Sequence, residues 1–460
     1  MSSVLQVADS ESGDSDSSEE EFFEVFFSVF EPLGSQQGHR KRNRRTYRRD
    51  ITRTANNCTF YEIYLRSPTR YSDPVNLKQF RNRFRIPWDC FCHLYELCAV
   101  SEEFKHQGSP DCVGFPGTPL EVLILGALAI LGGTNNFESL YEMTNVKKLT
   151  HRLFFKRFTR YFRNELFPLY VKWPVTAEQI EQCERPYRIA GFPGAICSTD
   201  AIHVRLLRCP SSLARVSTGK EGFPTRAFEI SVDNTRRILN TTTGKFGSWN
   251  DKIVTKFDDF TTALQRNEIA PDFHWNLSTE SGDIETEGHV YTLCDNGYTK
   301  SRYFVMPYKV TDTCAQAAWS SMLESLRKDV ECTFGILKQR FRILQHGLTI
   351  QNFDEIDDLW FTCCALHNII LEYDQQDIEE EELAPMDNKF RDMLKDGVDE
   401  EFEYHQDYEK LRNDMARHFA NQVLKNEIHW PTKRKRLAKI FDFDDADKDE
   451  YQRLIHTLGF

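Results

Sequence analysis

The sequence predicts an α/β fold: a mixed five-stranded sheet with flanking helices, preceded by an all-α region. Three observations carry this. From Gly194 to Thr243, three short apolar runs are joined by tight turns, the pattern of an antiparallel meander. A fourth run, His289–Tyr298, returns after a long connection. Trp319, Leu323, Leu326, Val330, Phe334, Leu337, Phe341 and Leu344 then step by four and three residues, the stripe of a long helix buried on one face.

The elements follow in chain order. Residues 1–38 are rich in Ser, Asp and Glu and are expected to be a disordered acidic tail, unable to bury enough apolar surface to fold alone. Phe22, Phe23, Phe26, Phe27 and Phe30 lie among its glutamates, which suits either a docking segment or a tail without a specific partner. Residues 39–80 read as a basic linker and 81–175 as a helical domain. In the latter, Leu120–Leu131 stops at Gly132-Gly133, Thr134 or Asn135 can cap a short helix through Tyr141, and a basic segment follows Asn145. That segment carries Leu149, Leu153, Phe158 and Phe162 among its cations. Helix, short helix, basic helix is a helix-turn-helix-like order. Lys147, Lys148, Arg152, Lys156, Arg157 and Arg160 are then candidate DNA contacts, or the solvated face of a helical bundle.

The α/β domain is expected over 190–373, with strands at Ala195–Leu207, Ala227–Asp233, Arg236–Thr243 and His289–Tyr298, and a last apolar helix at Ile356–Glu372. An acidic linker, 374–404, and a helical, charged tail, 405–460, complete the chain.

Composition narrows the class. The 460 residues suffice for two or three domains, and 28% charged with 40% hydrophobic residues reads as a soluble protein. The net charge of −12 hides strong segregation: acidic at 1–36, basic at 40–53, acidic again from Asp377, and basic at Lys433, Arg434, Lys435 and Arg436. The last cluster is a candidate nuclear-localisation signal, so the nucleus is the expected location. Thirteen cysteines without paired spacing suggest reduced thiols inside a cell and no zinc site. The longest apolar run, Leu120–Leu131, is well short of the roughly 20 residues that cross a bilayer, so no membrane role is expected.

Three acids stand out by position. Asp200 is mid-strand in apolar company, where an unpaired carboxylate is costly. Asp295 ends the fourth strand, before Asn296-Gly297. Glu331 flanks the buried stripe of the long helix, with Arg327, Lys338 and Arg342 within about 40° of the same direction, which makes these three cations further candidate DNA contacts. Arg327 and Glu331 also have the spacing of a plain surface ion pair. Two strand acids and a helix acid, in the order β-β-β…β…α, match an RNase H-like plan. Carboxylates suit hard cations such as Mg²⁺ or Mn²⁺, and two such ions about 4 Å apart serve phosphodiester cleavage. Asn250 and Asp251 can border that site or form a turn, His203 can approach the metals or be a satisfied strand histidine, and His367 and Asn368 read as core residues.

The blocks GAICSTDAIHVRLLRCP, STGKEGFPTRAFEISVDNTRRILNTTTGKFGSWNDKIV, YTLCDNGYTKSRYFVMP, RKDVECTFGILKQRFRIL and CCALHNIIL occur in that order. FRNRFRIPWDCFCHLYEL precedes them and YEKLRNDMARHFANQ follows. Together they resemble the PIF/Harbinger-type DDE transposases, from about Phe80 to Gln422. The resemblance implies that Asp200, Asp295 and Glu331 are the catalytic, metal-binding triad of a nuclease and strand transferase acting on transposon ends and target DNA. It implies a separate Myb/SANT-like DNA-binding partner and allows a homo-oligomer. The alternative is a domesticated nuclear DNA-binding or scaffold protein that no longer transposes.

Overall fold

The computed structural model describes residues 55–110, 112, 114, 116–279, 282–286, 288–375, 383–386, 388–394 and 407–431. The chain divides into two units, Met1–Ile51 and Thr52–Phe460, and the described residues all belong to the second. The acidic tail with its phenylalanines, Arg40–Arg53, most of the acidic linker, and Lys433, Arg434, Lys435 and Arg436 lie outside the described residues.

Residues 55–80, expected as linker, are folded. Phe60, Tyr71 and Phe80 are buried, and Tyr71 stacks on Trp88 with ring centroids 3.9 Å apart. Phe60 and Tyr71 bury their area from short helical turns that lack a helical period, which is why periodicity missed them. Helix α1, Pro74–Phe84, is capped by Asp73 and ends at Arg85 in the left-handed region. Helix α2 spans Trp88–Val100 and α3 spans Leu120–Leu131. Helix α3 is apolar all round and correspondingly buried, and it stops at the expected Gly132-Gly133. Helix α4, Phe137–Thr144, starts later than expected: Asn136 is the cap, completing a capping box with Ser139. Helix α5, Lys148–Tyr161, turns His151, Phe154, Phe155 and Phe158 inward and leaves Leu149 and Leu153 exposed. The phenylalanines offer more apolar area than the leucines, and they decide which flank is buried.

Helix α6, Ala177–Ile189, leads into the sheet. Strand β1 is Ala195–Arg205, β2 is Thr225–Val232, β3 is Ile238–Thr241, β4 is Tyr291–Leu293 and β5 is Phe304–Val305. Their order is β3-β2-β1-β4-β5; the first three are antiparallel, and β4 and β5 run parallel to β1. A short strand, Lys245–Phe246, also pairs with β2, so the sheet has six strands rather than five. Gly194, at φ 87, opens β1; a Cβ there would lie 2.5 Å from Trp275 Nε1, so only glycine allows this approach.

Between β3 and β4 lie α7, Asp251–Thr255, α8, Asp259–Gln265, and a hairpin of Trp275–Thr279 with Gly282–Thr286. Helix α9, Cys314–Arg340, carries the predicted stripe; it breaks at Phe341, and a short helix, Arg342–His346, follows. Helix α10 is Phe353–Gln375 and α11 is Asp407–Leu424.

The outcome is a mixed α/β architecture. One buried cluster joins the helical region to the sheet: Phe84, Leu128 and Phe158 share it with Ile202, Phe228, Val330, Trp360 and Ile369. Phe228 stacks on Trp360 at 4.5 Å. A second cluster seats the first half of α9, with Trp319, Met322 and Leu323, against Met415 and Phe419 of α11. Polar ties pin α10 in place. Asp357 receives Arg226 Nε at 3.2 Å and Nη2 at 3.0 Å. Asn368 accepts from Ile238 N–H and donates to the Ile238 and Tyr170 carbonyls, and His367 contacts Arg236 O and Arg340; both residues hold the core, as expected. Helix α11 is tied to the hairpin by Ser278 N–H on His418 Nδ1, 2.7 Å. Among the described residues no helix is long and apolar enough to cross a membrane.

Candidate active site

The site lies where β1 and β4 part. The two strands pair in parallel, with Ser198 opposite Leu293. Two residues further along on each side, just past the last pair between these two strands, stand Asp200 and Asp295, and the charge of Asp295 bears on Asp200. Beyond β4 the chain turns, and Asp295 Oδ1 accepts the Gly297 N–H at 2.8 Å. Asp251, the first residue of α7, joins from the other side of that turn, while Asn250 caps the helix by accepting from Ile253 N–H. A Cβ on Gly297 would lie 2.5 Å from Asp251 Oδ2 and 2.9 Å from Asp295 Oδ1. The two carboxyls therefore flank a space that only glycine leaves open.

The helix acid reaches the group through Arg327. Its Nη1 donates to Asp200 Oδ2 at 3.0 Å and its Nη2 to Glu331 Oε1 at 2.9 Å. Glu324 Oε2 is a looser third partner at 3.4 Å. The Arg327 side chain is 11% exposed, that of Asp200 21% and that of Glu331 49%. The i,i+4 ion pair that the spacing of Arg327 and Glu331 allowed is present, and the same guanidinium also holds Asp200, from 127 residues away.

The electrostatics follow from burial. Burial pushes the Asp200 carboxyl up to about 6, outweighing the pull of Arg327 and of the Ala201 N–H, with Asp295 and Asp251 adding to the rise. Burial and then Asp295 raise Asp251. Burial lowers Arg327, but Asp200, Glu324 and Glu331 more than compensate and leave it raised.

Glu229, on β2 opposite Ala201, was not anticipated. Its side chain is buried, and neither carboxyl oxygen has a hydrogen-bond partner among the described residues. Burial, then Asp258, Asp251 and Asp200, hold it well above the ordinary carboxyl range. The buried Tyr298 hydroxyl nearby is likewise without a partner, and it feels Glu229, Asp200 and Asp251. The only trace in the sequence was a charged residue inside AFEISVD, a strand whose residues are buried on both faces.

The proposed DNA contacts are dispersed. Lys148 pairs with Glu138, Lys156 with Glu355, Arg157 with Glu103 and Arg160 with Asp358, while Arg152 lies over the Phe137 ring. Lys147 is the exposed first residue before α5. Lys338 is half-buried, with Glu221 as its acidic neighbour. Arg342 lies beyond the break at Phe341, next to Gly133, so the helical angle that grouped it with Glu331 does not apply. His203 bonds Thr225 Oγ1 at 2.9 Å, a satisfied strand histidine.

A hard cation would find suitable chemistry here: Asp200, Asp295, Asp251 and Glu331 offer only oxygen donors. The unpartnered Glu229 and the space at Gly297 are consistent with a further charge nearby. As the side chains stand, no three His, Cys, Asp or Glu among the described residues are gathered to hold a metal ion, and Arg327 sits between two of the acids.

These elements define a class: a mixed α/β protein with carboxylates at adjoining strand ends, faced by a helix acid. Comparison adds the family. Residues 169–379 match the plant transposon protein model. The chain is 22% identical over 318 residues to "Protein ALP1-like" of Arabidopsis thaliana, covering 68% of this chain and 76% of that protein. It is 23% identical over 189 residues to "Putative nuclease HARBI1" of Bos taurus, covering 41% and 49%. The Homo sapiens protein of that name is 22% identical over 207 residues, covering 44% and 54%. The chain thus spans about half the length of the HARBI1 proteins. No solved structure matches it. Together these findings show that the chain is similar to Harbinger-type, transposase-like proteins.

Proposed function

We propose that the chain is a metal-dependent DNA endonuclease with Asp200, Asp295 and Glu331 as its triad, built on an RNase H-like core. The observation that carries this reading is that Arg327 bonds both Asp200 and Glu331, while the charge of Asp295 bears on Asp200 and on Arg327. The strand order β3-β2-β1-β4-β5, antiparallel then parallel, supports the core assignment. The nuclease named among the relatives supports the activity.

Asp200, Asp295 and Glu331 would hold two divalent ions, Mg²⁺ or Mn²⁺. Those ions would supply the charge that activates an attacking water or 3′-hydroxyl and relieves the leaving oxygen. The chain's own part is positional. Parallel pairing of β1 and β4 as far as Ser198 and Leu293 brings Asp200 and Asp295 to adjoining strand ends. The Gly297 N–H orients Asp295. Helix α9, seated on two hydrophobic clusters, presents Glu331 from the side. Helices α3–α5 form the helix-turn-helix-like element that would grip the duplex through Lys147, Lys148 and Arg152. Strand transfer at transposon ends, a Myb/SANT-like targeting partner, self-association and a nuclear location complete the proposal by resemblance.

The test is nicking of supercoiled plasmid with Mn²⁺ or Mg²⁺, comparing the full chain with Asp200→Asn. Nicking that needs the metal and is lost in the variant supports the reading. No nicking, or equal nicking by both, refutes it. One observation favours a second reading, a DNA-binding derivative that no longer cuts: Arg327 already neutralises Asp200 and Glu331. Plasmid binding without nicking would select it.

A further inference from the structure

The role of Arg327 goes beyond an ordinary surface pair. It lies almost buried on α9, and its guanidinium is divided among three carboxylates from two elements: Asp200 of β1, and Glu331 and Glu324 of its own helix. Two of these are triad members. The third, Glu324, one turn earlier, is the most distant at 3.4 Å. Two further acids, Asp295 and Asp251, bear on Asp200, and Asp295 bears on Arg327 itself. Behind the sheet, Glu229 is buried with both oxygens unpartnered and close enough to feel Asp200 and Asp251. So many carboxylates at one strand end repel each other unless something positive lies among them. Arg327 is the cation that bonds both Asp200 and Glu331.

We propose that Arg327 is the internal counter-ion of this site: it binds Asp200 and Glu331 in place of the divalent cation, competes with that cation, and moves onto Glu324 when the cation arrives. This rests on the nuclease reading above, since it takes Asp200 and Glu331 as the ligands. The geometry sets the sequence of events. A carboxylate oxygen that accepts from a guanidinium at about 3 Å has that lone pair occupied, so a cation cannot use it without displacing the arginine. Glu324 sits one turn along the helix, already within reach of both Nε and Nη2, and takes up the guanidinium without exposing an unpaired charge. Arg327 therefore acts as a positioning residue: it keeps the acids together before loading and costs affinity during loading.

An ordinary structural pair predicts the opposite sign. Removing a structural arginine loosens the acids and weakens metal binding; removing a competing one strengthens it. The experiment measures Mn²⁺ binding to the metal-stripped full chain by calorimetry or by loss of the free-ion magnetic-resonance signal, alongside melting temperature with and without Mn²⁺. Arg327→Gln should bind Mn²⁺ at least about tenfold more tightly, the scale at which one neighbouring charge shifts a proton's affinity. Without metal it should melt lower than wild type, and its gain on adding Mn²⁺ should be larger. Glu324→Gln, which removes the alternative partner, should bind Mn²⁺ more weakly than wild type. If Arg327→Gln is too unstable to purify, Arg327→Lys serves: one ammonium cannot bridge both acids as the planar fork does, and its affinity should lie above wild type. Equal or weaker Mn²⁺ binding by the arginine variant, with wild type binding normally, overturns this proposal and leaves the nuclease reading intact. No Mn²⁺ binding by wild type overturns both.

Discussion

Gly297→Ala isolates the site from the fold. Gly297 is not in the left-handed region, so alanine meets no backbone penalty, and loss of chain freedom in the unfolded state even favours it by about 0.4–1 kcal/mol. The added methyl meets two carboxylate oxygens: Asp251 Oδ2 at 2.5 Å and Asp295 Oδ1 at 2.9 Å. To regain an ordinary 3.4 Å contact the first must retreat by about 0.9 Å and the second by about 0.5 Å. These are ends of side chains and can rotate away, so the fold should lose no more than about 1 kcal/mol. The catalytic geometry cannot absorb such a shift. A displacement near 1 Å at a reacting centre costs on the order of 10²-fold in rate. Plasmid nicking at saturating Mn²⁺ should fall by about that factor while the melting temperature stays within a few degrees of wild type. A folded Gly297→Ala protein that nicks within about threefold of wild type would show that Asp295 and Asp251 do not border the reacting phosphate.

Other perturbations test other links. Glu331→Gln should abolish nicking but keep DNA binding, because phosphate contacts come from Lys and Arg, and its lost pair with Arg327 should cost at most about 1 kcal/mol; near-normal nicking would make Glu324 the next acid to try. Replacing Lys147, Lys148 and Arg152 with alanine should weaken plasmid binding and flatten its salt dependence by about one unit per lost contact, with no change in slope if α5 is only a bundle face. His151 is buried against Thr144, and burial lowers it to about 4 from an ordinary 6.5, so it is neutral in the fold. Its stabilisation is complete above about pH 6.5 and is lost as pH falls to about 4, amounting to about 3 kcal/mol. His151→Gln should show a shallower fall in urea midpoint across that window, and an unchanged fall would refute the assignment. Arg226→Met strands the buried Asp357 and should cost about 3–5 kcal/mol, while Arg226→Met with Asp357→Asn should recover most of it in the same urea assay.

What the sequence disclosed depended on how local each contact was. Strand β1 around Asp200, the meander and the stripe of α9 were legible because apolar alternation and the three-four step are written within one element. Arg327 was visible only as a neighbour of Glu331, four residues away; its bond to Asp200 joins a helix to a strand and leaves no spacing to read. Glu229 was hidden because β2 is buried on both faces, so a charge within it marks no outer side. Asp251 stayed open between a site role and a turn role because its place beside Gly297 depends on how α7 packs against the β4 turn. On α5 two flanks satisfied the same period, and only the fold's demand for Phe154, Phe155 and Phe158 chose between them.

The seating of α9 on α11 has a consequence in time. Ribosomes make Asp200, Asp295 and Glu331 well before Asp407–Leu424, the helix against which Trp319, Met322 and Leu323 pack. At about 5–20 residues per second, the stretch from Glu331 to Leu424 takes roughly 5–20 s to synthesise. During that interval the first half of α9 can pack on Phe192 and Leu293 but lacks the α11 side of its cluster, and the hairpin lacks its bond to His418. Asp200, Asp295 and Glu331 therefore exist in the nascent chain before the helix that carries Glu331 has its full seat. The order of synthesis, rather than the chemistry of the acids, sets the moment at which the site is assembled.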